Sequence, residues 1–215
     1  MLTTAGRWGA AMWLVQPLYL VTEFITAAKV TVPYTFAGNT ISELGAVSCT
    51  SVGYSGEDPV QVCSPWHALM NTSFIVSGLL LAGGAILLRR WLPAGKRTTT
   101  AVVLWVISGL SSVGTGLVPL DQNLTLHGVV SLPAFLAQPV ALILLGLALR
   151  PQHRGLAWSG LLAGVISSVG TVAFIVGSSS YGGLLERLSL WPAYVWVTAL
   201  AIVALRPSAQ SAAAT

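Results

Sequence analysis

Residues 66–97 read WHALMNTSFIVSGLLLAGGAILLRRWLPAGKR, and the fold turns on that stretch. Trp66–Leu88 carries no Asp, Glu, Lys or Arg, and then Arg89, Arg90, Lys96 and Arg97 follow almost at once. About 20 residues at ~1.5 Å rise cross a ~30 Å hydrocarbon core, so the run is long enough to span a bilayer. Basic residues crowded just beyond such a run mark its cytoplasmic end.

Working outward, five further apolar stretches appear: Trp8–Ala28, Thr98–Leu120, Gly128–Leu149, Gly155–Val176 and Leu190–Leu205. The last is short and can borrow from Leu184–Ser189. Arg150 and Arg154 separate the fourth and fifth, Arg7 precedes the first, and Arg206 follows the last. If these basic loops are cytoplasmic, both termini are inside, as an even number of spans requires. Glu23, Glu43, Glu57, Asp58, Asp121 and Glu186 then all fall in the outer half or the outer loops. The expected fold is therefore an all-α polytopic membrane bundle of six transmembrane helices in the cell membrane. It occupies residues 1–207, with a long outer loop at 31–65 and a disordered tail at 208–215.

A chain that is 54% hydrophobic and 7% charged, with a mean hydropathy of +0.79, is no ordinary soluble domain. Its net charge of +4 sits in the short inner loops and gives no reason to expect nucleic-acid binding. The first span is too long for a cleaved signal peptide and lacks a small-residue cleavage site, so it reads as a retained anchor. Cys49 and Cys63 share the outer loop, in an oxidising compartment, and a disulfide between them would stabilise by roughly 3 kcal/mol. No histidine pair accompanies them, so they make a poor zinc site.

Within the outer loop, Asn39-Thr40-Ile41-Ser42-Glu43-Leu44-Gly45 reads as a short helical turn ended by glycine. It either lies on the membrane surface or dips into the mouth of the bundle. Spans three and five share a repeat, Ser111-Ser112-Val113-Gly114-Thr115 and Ser167-Ser168-Val169-Gly170-Thr171. Small residues every fourth position, Ser108/Ser112/Gly116 and Gly160/Gly164/Ser168, suit close helix packing in lipid.

Ionisable groups inside a membrane need a partner or a role. Gln16, Tyr19 and Glu23 share one face of span one, which should point inward, and Pro17 interrupts the backbone beside them. That stripe is either an interhelical seam, with Glu23 paired to Lys29 or Arg187, or the wall of a cavity. His67 and Asn71 share a face at the start of span two. Asp121 closes span three, His127 opens span four, and Glu186 and Arg187 precede span six. With Glu43, these groups converge near one plane at the outer ends.

The Ile-Ser-Glu-Leu-Gly core at Ile41–Gly45, Met70-Asn71-Thr72-Ser73-Phe74, Pro119-Leu120-Asp121 and Glu186-Arg187-Leu188 together resemble the DUF998 integral membrane proteins. The resemblance covers most of the chain. It implies six spans and a polar outward-facing site at these motifs, and it implies no particular reaction.

The leading functional expectation is an intramembrane enzyme performing acid–base chemistry on an isoprenoid or lipid. One version is a cyclisation begun by protonating an alkene or epoxide. Glu23, Glu43 and Asp121 are the candidate acids and bases, with His127 and His67 as proton partners. Arg187 would anchor a carboxylate or other anion, while Asn39, Asn71, Gln16, Tyr19 and Glu186 would contact substrate. Cation–π help from Trp13, Trp105, Trp158 or Trp196 is a weaker strand of the argument. No cofactor or metal is expected: His67, His127 and Asp121 lack the spacing of a zinc hydrolase. The alternatives are a lipid binder or transporter and a membrane assembly subunit. Spans two to five carry no ionisable residue in their middles, which argues against a proton path through the whole membrane.

Overall fold

The computed structural model describes residues 2–54, 58–177 and 179–206. Glu57 and the expected tail at 208–215 lie outside them. Six helical segments are long and apolar enough to cross a membrane, and the only sheet among the described residues is a two-stranded hairpin.

The first segment, Thr4–Ala27, is two helices, α1 (Thr4–Leu14) and α2 (Pro17–Ala27). Pro17 has no N–H to continue α1, but its fixed φ suits the first position of a new helix. Gln16 keeps helical dihedrals, so the break redirects the chain little. The remaining helices are α3 (His67–Leu88), α4 (Lys96–Leu117), α5 (Leu124–Leu149), α6 (Arg154–Val176) and α7 (Gly182–Leu205). The expected spans match within a few residues except the last. It starts at Gly182, so Glu186 and Arg187 lie inside α7 and are buried there.

Each helix packs on the next, and α1 closes the ring by touching both α3 and α7. One half of the interior is largely apolar, built around Trp13, Leu81, Trp105, Leu142, Leu145 and Leu200, with Ser108 and Gln138 hydrogen-bonded to each other among them. The other half mixes Tyr19, Met70, Phe74, Phe135 and Tyr194 with Ile41 and Leu44 from the segment joining α2 to α3. That segment caps the bundle. Its 3₁₀ turn, Ser42–Gly45, dips into the mouth, with Ile41 and Leu44 fully buried. Strands β1 (Thr50–Val52) and β2 (Val60–Val62) pair antiparallel, and the Cys49–Cys63 disulfide closes the hairpin. Outward-facing Leu18, Leu79, Leu110, Leu162 and Val169 stay exposed along the helices, as a lipid-facing surface requires.

Prolines interrupt two of the helices, Pro133 and Pro139 in α5 and Pro192 in α7. The serine repeat mends the damage. Ser111 Oγ on α4 donates to the Val130 carbonyl at 2.5 Å, and Ser167 Oγ on α6 donates to the Ser189 carbonyl. Both carbonyls lie three residues before a proline. Thr171 Oγ1 donates at 3.1 Å to the Phe135 carbonyl, which Pro139 cannot serve. The α4–α5 and α6–α7 pairs thus use one pattern twice, and in each the residue six before the proline is ionisable: His127 and Glu186.

Helices α3 and α4 cross where Gly78 and Gly109 face each other, and a Cβ on either would strike the other's carbonyl oxygen. Gly109→Val is expected to destabilise by about 1–3 kcal/mol through overpacking. Gly155→Val, at a position with open space, is the control. Thermal unfolding of both variants in detergent checks this.

Candidate functional site

Beneath the cap, the first turns of α7 are drawn into the bundle. Gly183 N and Leu184 N donate to the carbonyls of Gly38 and Ala37, at 3.0 and 2.9 Å. Gly183 has no Cβ because Asn39 O and Arg187 Nη1 occupy that space.

Arg187, 3% exposed, holds this junction. Its Nε donates to Glu23 Oε1 at 2.8 Å, its Nη1 to the Phe36 and Asn39 carbonyls at 2.7 and 2.8 Å, and its Nη2 to the Tyr34 hydroxyl at 2.7 Å. Trp191 Nε1 donates to Glu23 Oε2 at 2.9 Å. Burial pushes the Tyr34 phenol well above its ordinary pKa, so it stays protonated and donates to the Thr40 carbonyl at 3.4 Å. Of the two partners the sequence allowed for Glu23, the structure selects Arg187, while Lys29 sits 5.4 Å over the Trp66 ring. Arg187, expected to anchor an anion, is occupied in holding the cap.

Glu186 points to the other side of α7. Its Oε1 lies 3.1 Å from Ser42 Oγ, and its Oε2 accepts from the Ile41 amide. Ser42 Oγ also lies 3.0 Å from His127 Nε2, and His127 Nδ1 is 2.6 Å from the Val118 carbonyl. A carbonyl only accepts, so Nδ1 carries a hydrogen. The single Ser42 proton then permits two arrangements. Either Glu186 is a neutral acid donating to Ser42, which donates to His127, or Glu186 is a carboxylate and His127 an imidazolium. These are the two arrangements in which both contacts to Ser42 are hydrogen bonds.

These groups border a cavity of about 160 Å³ that reaches the surface at Gly128 of α5. Tyr54 shares it, and the Phe135 ring beside it stacks on Phe174 at 5.1 Å. The Tyr54 hydroxyl donates to Glu43 Oε1 at 3.0 Å, and Asn39 Nδ2 donates to Glu43 Oε2 at 2.8 Å. Burial, with the Glu43 charge adding, raises the Tyr54 phenol far above its ordinary value and keeps it a donor.

Other expected site residues lie elsewhere. Asp121 accepts from Val47 N, Ser48 N and Ser48 Oγ at 3.0, 2.9 and 2.7 Å, stapling the α4–α5 loop to the cap. Partial burial pushes its carboxyl up, but the bonds from Ser48 and Val47 outweigh that and hold it below the usual aspartate value. It does not line the cavity, because both its oxygens are used in the staple. His67 Nδ1 meets the Ser64 carbonyl at 2.9 Å, and Asn71 Nδ2 donates to Gly45 O at 2.9 Å, so both fasten the cap. Gln16, Tyr19 and Glu23 do face inward, at 1%, 2% and 0% exposure, with Tyr19 stacked on Tyr194 at 4.5 Å. Gln16 and Tyr19 lie below the proton-sharing group.

Ser42, Tyr34, Tyr54 and Trp191 were not anticipated. Ser42 sat within the Asn39–Gly45 run, but its partners are 85 and 144 residues away in sequence. Among the described residues, no three His, Cys, Asp or Glu side chains gather as metal ligands.

Six apolar helices under a disulfide-tied cap define a multi-pass membrane protein. The family model described as protein of unknown function (DUF998) matches residues 13–203, and the chain belongs to that family. No curated protein and no solved structure matches the chain.

Two outcomes follow from this geometry. Glu23→Gln leaves Arg187 buried without its counter-charge and should cost about 3–5 kcal/mol, while Glu23→Leu with Arg187→Met should cost less than either change alone. Denaturant unfolding of Glu23→Gln, of Glu23→Leu and Arg187→Met singly, and of the double variant tests this. Asp121 has a lowered folded-state pKa, so its contribution is present above the unfolded aspartate value (~3.9) and is lost as pH falls through the folded one. Asp121→Asn should therefore lower the Tm at pH 7 and flatten the decline in Tm below about pH 4, by a modest amount because the group is largely solvated.

Proposed function

We propose that this protein is an intramembrane enzyme performing acid–base chemistry on a lipophilic substrate. Its pocket would lie at the cap end, facing outward from the cell membrane, with both termini cytoplasmic. The observation that carries the reading is Ser42 Oγ bridging Glu186 Oε1 and His127 Nε2 at the wall of a largely apolar cavity. A proton donor and a proton acceptor joined through one hydroxyl form a couple able to give a proton at one point and recover it at another.

For an isoprenoid alkene or epoxide, the sequence of events is definite. Glu186, as the neutral acid, gives its proton to the substrate and becomes a carboxylate. The resulting cation rearranges or closes a ring beside the Phe135 and Phe174 faces, which stabilise it by roughly 0.5–2 kcal/mol. It then loses a proton from a neighbouring carbon to the couple, restoring the starting state. No net proton is consumed, so the product is an isomer of the substrate. Glu43 positions the Tyr54 hydroxyl at the cavity and Asn39 positions Glu43; Asp121 and Glu23 have structural roles.

The test is incubation of the protein in lipid nanodiscs with a membrane lipid extract in D₂O, read by mass spectrometry of the lipids. The wild type should place deuterium on carbon or produce an isomer. Ser42→Ala and Glu186→Gln should each lower that rate by about 10²–10⁴-fold while remaining folded. Native mass spectrometry accompanies it. A lipophilic mass retained without any deuterium incorporation would replace the enzyme with a binder, and neither signal would leave an assembly subunit.

A further inference from the structure

Among the described residues lining the Ser42 cavity, Gly128 alone is fully exposed. The cap side is covered by Thr40 and Leu120, both buried, and by the half-buried Tyr54, whose hydroxyl is tied to Glu43. Asp121 fastens the α4–α5 loop to the cap through Val47 and Ser48, which closes the same side further. The opening is therefore a slot in the flank of the bundle. Leu124, Gly128 and Ser131, on one face of α5, form one edge, and Phe174 of α6 forms the other.

Gly128 lies one turn inside the Leu124–Leu149 span, about 6 Å along its axis at ~1.5 Å per residue. Around and below the slot the exposed side chains are apolar: Val129 and Leu132 on α5, Ile175 and Val176 on α6. On spanning helices such a surface faces hydrocarbon. Ser131 turns its hydroxyl back onto the Gly128 carbonyl at 3.2 Å, so this edge of the slot commits its donor to the helix. A Cβ on Gly128 would meet nothing within 4 Å. No packing neighbour requires glycine there, and what the missing side chain leaves is an open mouth. The cavity behind it, about 160 Å³, is near half the ~300 Å³ at which pockets begin to enclose a drug-sized ligand. A long lipophile can place only a short portion beside Ser42.

We infer that the Ser42 cavity is loaded sideways from the bilayer between α5 and α6, by a chain-bearing lipid of which one short portion enters past Gly128. The inference rests on the reading of this cavity as a lipophile site, and it adds the route, the substrate class and the residue that sets what can pass. The substrate is a molecule dissolved in the membrane and longer than the cavity, not a soluble one delivered from water. Two separate observations require this together. The cavity is too small for a whole lipid, and its mouth opens where the remainder of the chain can stay in hydrocarbon, against Leu132 and Ile175.

The experiment uses the full chain in phosphatidylcholine nanodiscs with two photoreactive probes. One is a long-chain alkane with a terminal diazirine, which stays in the bilayer; the other is a small charged diazirine, which stays in water. After photolysis, labelled residues are mapped by mass spectrometry. The alkane should label Ser42, His127, Phe135 or Glu186, and the charged probe should label none of them. Gly128→Trp should abolish that cavity labelling, while Gly128→Ala and Leu162→Trp, the latter on the lipid face of α6 away from the slot, should leave it. Thermal unfolding checks that the variants fold, and if Gly128→Trp does not, Gly128→Leu decides in its place. Cavity labelling by the charged probe would overturn the inference, as would alkane labelling that survives Gly128→Trp or no cavity labelling by either probe. Any of these results with deuterium still entering lipid carbon would leave the enzyme reading standing with another entrance. Sideways labelling without deuterium incorporation would keep the route and make the protein a binder.

Discussion

The ion pair between Arg187 and Glu23 is the interaction on which the rest of the cap end depends. A guanidinium and a carboxylate taken out of water carry a desolvation cost of several kcal/mol each, and attraction offsets it only with good geometry and further hydrogen bonds. Here the further bonds come from Tyr34, Phe36, Asn39 and Trp191. The charge therefore organises three separate pieces of chain: α2 through Glu23, the loop at residues 34–39, and α7. It also explains why α7 runs back to Gly182. A charged turn enters the bundle because its charge is met there. Consecutive residues on a helix point roughly 100° apart. With Arg187 committed toward α2 and the loop, Glu186 is turned toward Ser42 and α5.

The same accounting governs the backbone. Three prolines within transmembrane helices would leave carbonyls bare in a medium without water. Thr171 serves the carbonyl that Pro139 leaves bare, and Ser111 and Ser167 bond the carbonyls one residue beyond those left by Pro133 and Pro192. Because a serine at the carbonyl three before each proline recurs in both pairs, the positions six before the prolines recur as well. His127 and Glu186 occupy equivalent places on α5 and α7 and meet at one serine from the cap.

How much of this was legible follows from the range of each interaction. The spans were legible because lipid imposes composition on whole segments, and the inward stripe at Gln16, Tyr19 and Glu23 because helical spacing is local. The disulfide followed from the shared loop of Cys49 and Cys63. The extension of the last span over Leu184–Ser189 was legible as an option and α7 takes it, but the burial of Glu186 and Arg187 there depends on distant partners. The 39–45 run was visible as a turn, but its descent into the bundle depends on burying Ile41 and Leu44 against helices far away in sequence. Asp121 is ambiguous in the sequence for the opposite reason. An acid at a helix end looks the same whether it faces a cavity or staples a neighbouring strand, and the amides of Val47 and Ser48 decide the matter.

Charge counting ties the proton-sharing group to its setting. Glu186 neutral with His127 neutral, and Glu186 ionised with His127 protonated, are both net neutral, so moving the proton along Ser42 separates charge without adding any. A buried site tolerates that exchange far better than gain or loss of a net charge. Arg187 and Glu23 already cancel nearby and do not demand a counter-ion from the couple. A proton leaving Glu186 while His127 stays neutral would strand a carboxylate in the cavity unless a cation formed beside it. The carboxylate left by Glu186 and a cation formed on a substrate would be created together, at contact distance, within apolar walls. A phosphate or carboxylate placed there would meet an acceptor-rich wall with its only guanidinium neighbour already paired. On the proposed chemistry, a neutral lipophile that becomes positive on reaction would suit this cavity better than an anion.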